Sequence, residues 1–534
     1  MGNKGQWENG LGELFDQRAI EYGDKMFAHF TAYNDTISYQ QMNMRTNCVA
    51  NALRSLGIRK GDKICLFLPN CPELIYTWFA AAKLGAIYVP LNTSHKGNVL
   101  QYQLNDSDAK LLVVEEKFLD NIKMIEGMLD KIKTVIFCGR GESQKSPLKL
   151  DSMSFQELLG YSAENPNVSV SHSDIMAILY TSGTEGPSKG VLRSYDGAFQ
   201  YATEFMKGHK LTFSDTIYTP MPLYHVLGGW CGVLPTVLAG CSIVISERFS
   251  ISNFWNEIRK YKATVAHAHF TVIPMMAKLP ACPDDRNHVC RSIHAAKMNE
   301  EFEKKYGVVG IETYGSTETG IVANYVIDQP RKRGAAGTIV PDYEVQIFDD
   351  NDNPLPFGKI GEIVVRPKVP GLIMPSYHKK PKETVEVFRN LWYHTGDRGY
   401  VDEEGYLFFV DRKKQMIRRR GENISAYEVE EVVNKFHGVL ECAAVGVPEN
   451  TGIAGDEDVK VVVVLQEGIE SISPIELLDF CEKRMAYFMV PRYIEFKKSL
   501  PKNAIEKIEK YKLVAEGVSA NTWDREKAGY RLKR

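Results

Sequence analysis

IMAILYTSGTEGPSKGVLRS, residues 175–194, runs from an apolar strand, Ile175–Tyr180, straight into a loop of glycines, hydroxyls and one lysine. In that loop Gly183, Gly186 and Gly190 let the main chain approach an oxyanion closely, while Thr181, Ser182 and Thr184 donate hydrogen bonds and Lys189 supplies charge. The combination suits a triphosphate. It is not the Walker loop, which needs Ser or Thr after the lysine at the start of a helix, whereas Gly190 follows Lys189 here. A kinase or GTPase reading is therefore disfavoured, and the plain alternative is a surface turn.

Working outward, short β-rich runs such as KICLFLP (63–69), AKLLVVE (109–115), KTVIFCG (133–139) and CSIVIS (241–246) alternate with helix-like segments. That is the pattern of wound α/β domains, and it covers residues 10 to about 330. The apolar stretch Leu74 to Leu91 carries Lys83 and Gly85, so it reads as a buried helix running into a strand and not as a membrane span. From Gly337 the texture changes to short strands and glycine turns, which predicts a β-rich subdomain over about 337–411. A cationic run, 412–423, contains an expected hinge at 412–415. It leads into a small α+β C-terminal domain, 416–534, with a helix at SAYEVEEVV that Ser425 and Glu428 can cap. The fold class is α/β: a large N-terminal domain, 1–411, followed by a small mobile one.

The 44% hydrophobic content and 534 residues permit a large core in more than one domain. The 65 Lys+Arg nearly balance the 67 Asp+Glu, so no global field favours nucleic acid or an anionic membrane, and small-molecule chemistry is expected. Ten cysteines without C-x-x-C or metal-type spacing point to reduced thiols in a cytoplasmic protein, with Cys71 and Cys282 read as packing residues. The opening MGNKGQWENG shows neither a secretion signal nor the Ser or Thr that myristoylation needs at Gln6.

Four more blocks follow the loop in order: LYHVLGG (223–229), YGSTETG (314–320), WYHTGDRG (392–399) and DRKKQMIRRRGEN (411–423). Together they resemble the acyl-adenylate-forming family of acyl-CoA synthetases, luciferases and peptide-synthetase adenylation domains, over nearly the whole chain. The segments LGIRKGDKICLFLPNCPE and LPKNAIEKIEKYKLVAEG are most similar to the crotonobetaine/carnitine–CoA ligase branch.

The resemblance implies an ATP-dependent ligase that uses Mg²⁺ and coenzyme A. It makes Tyr314 the adenine contact, with Gly315 and Thr317 beside the nucleotide and Glu318 the metal ligand, a hard oxygen suited to Mg²⁺. Asp397 would accept the ribose hydroxyls, Arg412 would lie near ribose and phosphate, and His225 would wall the acid pocket. Lys507 would be the catalytic lysine, acting with Thr184, Glu318 and His225. Its ammonium would orient the acid and offset charge as carboxylate attacks the α-phosphate. Lys414 matches the hinge, and Gly421 lies in the loop that would reach the pocket for the thiol step. Outside that resemblance each residue has a bland reading: a turn aspartate, a core histidine, a solvated charged linker, a surface lysine. His394 is read as a surface residue without a role.

Four positions depart from the family pattern. Glu185 stands where a threonine is common, Arg420 replaces a glycine near the pantetheine tunnel, and Ile505 and Glu506 replace a small residue and a glycine before the lysine. A carnitine-type acid would need an aromatic face or a carboxylate for its cation, and Trp230, Phe270 and Tyr224 are candidates. The alternatives are a short- or medium-chain acyl-CoA synthetase, an adenylating enzyme that loads a carrier protein in trans, and a nucleotide-binding relative without turnover. A homodimer is the assembly the family implies.

Overall fold

Val-, Ile- and Leu-rich runs bounded by glycine, proline and polar turns fold as predicted into parallel strands that are buried on both faces. The computed structural model describes residues 10–139, 148–181, 188–269, 272–295, 299–412, 416–419, 422–448, 457–485, 487–503 and 506–532. The chain divides into two units, Met1–Glu344 with Val365–Tyr393, and Val345–Val364 with His394–Arg534.

The first unit holds two wound sheets. One runs in the order Asp151–Ser154, Thr134–Cys138, Leu111–Glu115, Lys63–Phe67, Ile87–Pro90, Ile175–Thr181, Lys189–Ser194, parallel until the last pair turns antiparallel. The other contains Val309–Ser316, Ser292–Ala295, Val265–His267, Thr216–Thr219, Ser242–Ile245 and Met26–Phe30 in that order, all parallel.

One hydrophobic core joins inward residues of both sheets, such as Leu66 and Val113 on one and Ile217 and Ile243 on the other. The helices Tyr39–Ser55, Pro72–Leu84 and Tyr195–His209 contribute to the same core. Ser38 and Gln41 close a capping box on the first of these helices. The helix Pro72–Leu84 is buried nearly all round, which is why its sequence reads as one apolar block. Its Lys83 side chain is 2% exposed and survives burial through an ion pair to Asp16 at 2.5 Å. Among the described residues no helix is long and apolar enough to cross a membrane.

The second unit begins with antiparallel β-structure, where Leu407–Arg412 pairs with Trp392–Val401. Beyond it lies the hairpin Met416–Arg419/Glu422–Ser425. The helix Ala426–Val433 follows, where it was predicted; its capping residues' side chains lie outside the described ones. A four-stranded sheet orders Val439–Pro448, Glu457–Leu465, Tyr493–Phe496 and Trp523–Asp524, packed by the helix Pro474–Glu482. Asp458, fully buried, ties the hairpin to this sheet: it pairs with Arg419 at 2.8 Å and with Arg492 at 2.6 Å.

All ten cysteines are free thiols. Cys71 is buried as expected, but Cys282 is exposed, because it precedes a short surface turn at Pro283–Arg286 and does not lie in a strand or helix core.

Candidate active site

The first unit closes the ends of the glycine loop through strand pairing. Thr181 and Lys189 are register partners, and the Thr181 hydroxyl donates to the Lys189 carbonyl at 3.4 Å. Ser182, Gly183, Thr184, Glu185 and Gly186 lie outside the described residues. The Lys189 ammonium sits over the ring of Tyr377, 4.9 Å from its centroid. The Tyr377 hydroxyl in turn donates to Glu318 Oε1 at 3.2 Å. One buried tyrosine thus joins the loop lysine to the carboxylate expected to hold a metal. Nothing in the sequence around Tyr377 signals this, because strand pairing at Val191 and the His378 N–H to Gly190 bond bring it there.

Residues 316–320 form a tight turn between the antiparallel strands Val309–Ser316 and Gly320–Asn324, not the helix start of the bland reading. Gly315 is required by the close approach of those strands: a Cβ there would lie 2.0 Å from the Gly320 carbonyl oxygen. Tyr314 is buried at the same register shift. The turn is held on its main chain. Tyr201 donates to the Ser316 carbonyl, Arg193 donates to those of Thr317 and Glu318, and Tyr343 donates to that of Thr319 at 2.6 Å. Met374 N–H adds a second donor to the Glu318 carbonyl at 2.8 Å. Such anchoring leaves the Thr317 and Glu318 side chains presented from a backbone that is already ordered.

His225 is half-buried at the entry to the short helix Val226–Gly228, where its Nδ1 accepts the Leu227 N–H at 3.2 Å. That bond leaves Nε2 to carry the proton of the neutral ring. Trp230 is not a free pocket wall. It is 1% exposed, its indole N–H donates to the Tyr88 hydroxyl, and the Arg193 guanidinium lies 5.9 Å from its ring centroid. Tyr224 is half-buried, and burial raises its hydroxyl pKa far above the ordinary tyrosine value. Phe270 lies outside the described residues.

In the second unit Asp397 is 5% exposed. It lies within the strand Trp392–Val401 and not in an open turn, in register with Arg412. Its N–H donates to the Thr395 hydroxyl, which donates to the Ile363 carbonyl. His394 is not a surface residue. It is 4% exposed, with Nδ1 3.2 Å from Glu362 Oε2, while Glu362 Oε1 accepts the Gly396 N–H. The imidazole faces inward onto Glu362, and the Glu362 bond to the Gly396 N–H lets the pair steady the backbone that carries Asp397.

Lys507 is exposed on a tight loop closed by the Lys502↔Ile508 bridge. Its N–H donates to Asn503 Oδ1, and its carbonyl accepts the Asn503 N–H. Glu506 takes φ +58°, the left-handed backbone that a glycine serves most easily. A glycine at this position would meet the same backbone without strain. Ile505, Lys414, Arg420 and Gly421 lie outside the described residues.

The sequence pattern of the AMP-binding enzyme family matches residues 15–378, and that of the AMP-binding enzyme C-terminal domain matches residues 428–507. The chain belongs to this family. It is 34% identical to a crotonobetaine/carnitine–CoA ligase of Salmonella paratyphi A, over 94% of this chain and 98% of that one. Among solved structures it is similar to the anthranilate CoA ligase AuaEII in complex with anthranoyl-AMP, with a TM-score of 0.86 and 26% identity over 95% of this chain and 97% of that one. ATP-bound MatB from Rhodopseudomonas palustris is similar with a TM-score of 0.83 and 26% identity, over 94% and 98%. The protein is an AMP-forming acyl-CoA ligase.

Proposed function

We propose that the chain activates a carnitine- or crotonobetaine-type acid as its acyl-adenylate and passes the acyl group to coenzyme A. The observation that carries the adenylation site is the Lys189–Tyr377–Glu318 alignment beside a turn whose carbonyls are all anchored. The glycine loop, Thr181 to Gly190, and Thr317 bind the polyphosphate. Tyr314 and Gly315 flank the adenine, and Asp397 with Arg412 holds the ribose. Glu318 and the Thr317 hydroxyl are hard oxygen donors, and the carboxylate is oriented by Tyr377, so they fit a Mg²⁺ ion that would neutralise phosphate charge.

In the first step a carboxylate oxygen bonds to the α-phosphorus and the bond to pyrophosphate breaks, with Lys507 offsetting charge and His225 walling the acid. In the second, the coenzyme A thiolate attacks the acyl carbon and AMP leaves with the oxygen. Turning the small domain about Lys414 would exchange Lys507 for the Gly421 loop between the steps.

The substrate class is supported by the identity to the Salmonella ligases. A second reading, an acid without fixed charge, is favoured by the guanidinium already lying against Trp230, which would repel a trimethylammonium group there. Side-by-side turnover of carnitine, crotonobetaine, γ-butyrobetaine and hexanoate with coenzyme A, and with a carrier protein as rival acceptor, separates these readings. Acid-dependent ATP–pyrophosphate exchange that survives Lys507→Ala at full rate would refute the adenylation scheme.

A further inference from the structure

Arg193 carries a fully buried charge in the first unit that the proposed chemistry does not use. Its side chain is fully buried on the strand Lys189–Ser194, just after the glycine loop. An arginine buried to this degree is ordinarily matched to a carboxylate, yet among the described residues the hydrogen bonds of this one all go to main-chain carbonyls. Nη1 donates to Thr317 O at 3.0 Å and to Glu318 O at 2.5 Å, and Nη2 donates to Gly197 O at 3.0 Å and Leu372 O at 2.8 Å. Its Nε–H has no partner among the described residues. Tyr201 and Trp230 lie with their ring centroids 5.8 and 5.9 Å from the guanidinium carbon.

Those four carbonyls come from three separate stretches of chain: the 316–320 turn, the start of the helix Tyr195–His209, and the segment leading to Tyr377. Only a planar fork with fixed N–H directions reaches all of them at once; an ammonium on a flexible stem does not. The guanidinium charge also lies close enough to Glu318 to interact with it electrostatically.

Gly197 is part of the same device. A Cβ there would sit 2.6 Å from Nη2 and 2.9 Å from Nε, so the glycine leaves the room the fork occupies.

We propose that Arg193 is a positioning residue for adenylation: it sets the backbone from which Thr317 and Glu318 present their oxygens to the metal–nucleotide complex, and it does nothing for the thiol step. The assignment rests on the adenylation reading above.

The test separates the half-reactions. Arg193→Lys keeps the charge and loses the fork. Gly197→Ala keeps the arginine but pushes its guanidinium aside, although alanine is the better helix former and by itself would stabilise the helix. Each variant is compared with the unmodified enzyme in acid-dependent ATP–pyrophosphate exchange across Mg²⁺ and ATP titrations, and in thioester formation from a synthetic acyl-adenylate. Both variants are expected to lose roughly tenfold or more in exchange, with a higher half-saturating Mg²⁺. Thioester formation from the ready-made adenylate should stay within about twofold of the unmodified enzyme.

Parallel loss of both half-reactions, or unchanged exchange and Mg²⁺ dependence in either variant, overturns the assignment. If the unmodified enzyme shows no exchange with any acid while binding Mg·ATP normally by calorimetry, the adenylation reading itself fails and takes this one with it. Exchange that is normal in the unmodified enzyme and in both variants sinks the Arg193 role alone.

Discussion

Tyr377→Phe removes a single hydroxyl from the centre of the candidate site and leaves the ring in place. That hydroxyl donates to an ionisable carboxylate, Glu318, at 3.2 Å. Hydrogen bonds to charged groups contribute about 1.5–3 kcal/mol, and the length here, on the long side for O–H···O, argues for the lower end. A loss near 1.5 kcal/mol corresponds to about tenfold in adenylation. The ring still faces Lys189 at 4.9 Å, so the cation–π contact, about 0.5–1 kcal/mol, is retained. Tyr377→Leu removes both, and the combined loss of roughly 2–2.5 kcal/mol predicts about thirty- to seventyfold. The assay is ATP–pyrophosphate exchange over a Mg²⁺ titration, with thioester formation from synthetic acyl-adenylate as the control. Exchange in Tyr377→Phe should fall and its half-saturating Mg²⁺ should rise while the control holds. A Phe variant with the parent's exchange rate and Mg²⁺ dependence would show that the hydroxyl does not hold Glu318 for the metal.

Asp16→Ala should lower the first unit's stability by about 3 kcal/mol or more, because it strands the Lys83 ammonium in the core and takes an acceptor from Asn43. Chemical denaturation reads this, and adding Lys83→Met should recover much of the loss; no recovery would count against the buried-charge explanation. Asp458→Asn should loosen the hairpin 416–425 by removing the anion shared by Arg419 and Arg492, which hydrogen exchange at those amides would detect. Unchanged protection would refute the clasp.

His209, His267 and His294 form a buried cluster around Phe205, and burial lowers the pKa of each, that of His294 to about 3. They are neutral when folded and protonate near 6.5 when unfolded, so their contribution is whole above that value and is lost as pH falls below it. At about pH 5 the cost is roughly 2 kcal/mol per histidine. Thermal midpoints should drop between about pH 7.5 and 5, and drop less in His294→Gln; equal midpoints at both values would contradict the argument.

The candidate site is legible as ordered blocks whose spacing follows from local chemistry: glycines where strands crowd, as at Gly315, and a lysine on a loop that Glu506 keeps in glycine's backbone form. The buried histidine was misread because His394 adjoins a Thr-Gly-Asp run typical of turns. The strand continues through that run, and the ring packs inward against Glu362, which comes from a segment about thirty residues earlier. Trp230 was offered as a pocket wall because aromatic character is visible in sequence. Its occupied face is not, since the guanidinium arrives from the strand Lys189–Ser194, far away in the sequence from the helical turn that carries Trp230.

The sequence by itself determined the elements and their class, because hydrophobic period, capping and turn residues act within a few positions of one another. It also carried the nucleotide-site motifs, each a contiguous block. Only the tertiary structure decided how those blocks are held. The ring of Arg193, Tyr201 and Tyr343 joins residues far apart in the chain through hydrogen bonds to backbone carbonyls, and Tyr377 reaches Lys189 and Glu318 through backbone pairing at Val191 and Gly190; backbone atoms leave no trace in residue identity.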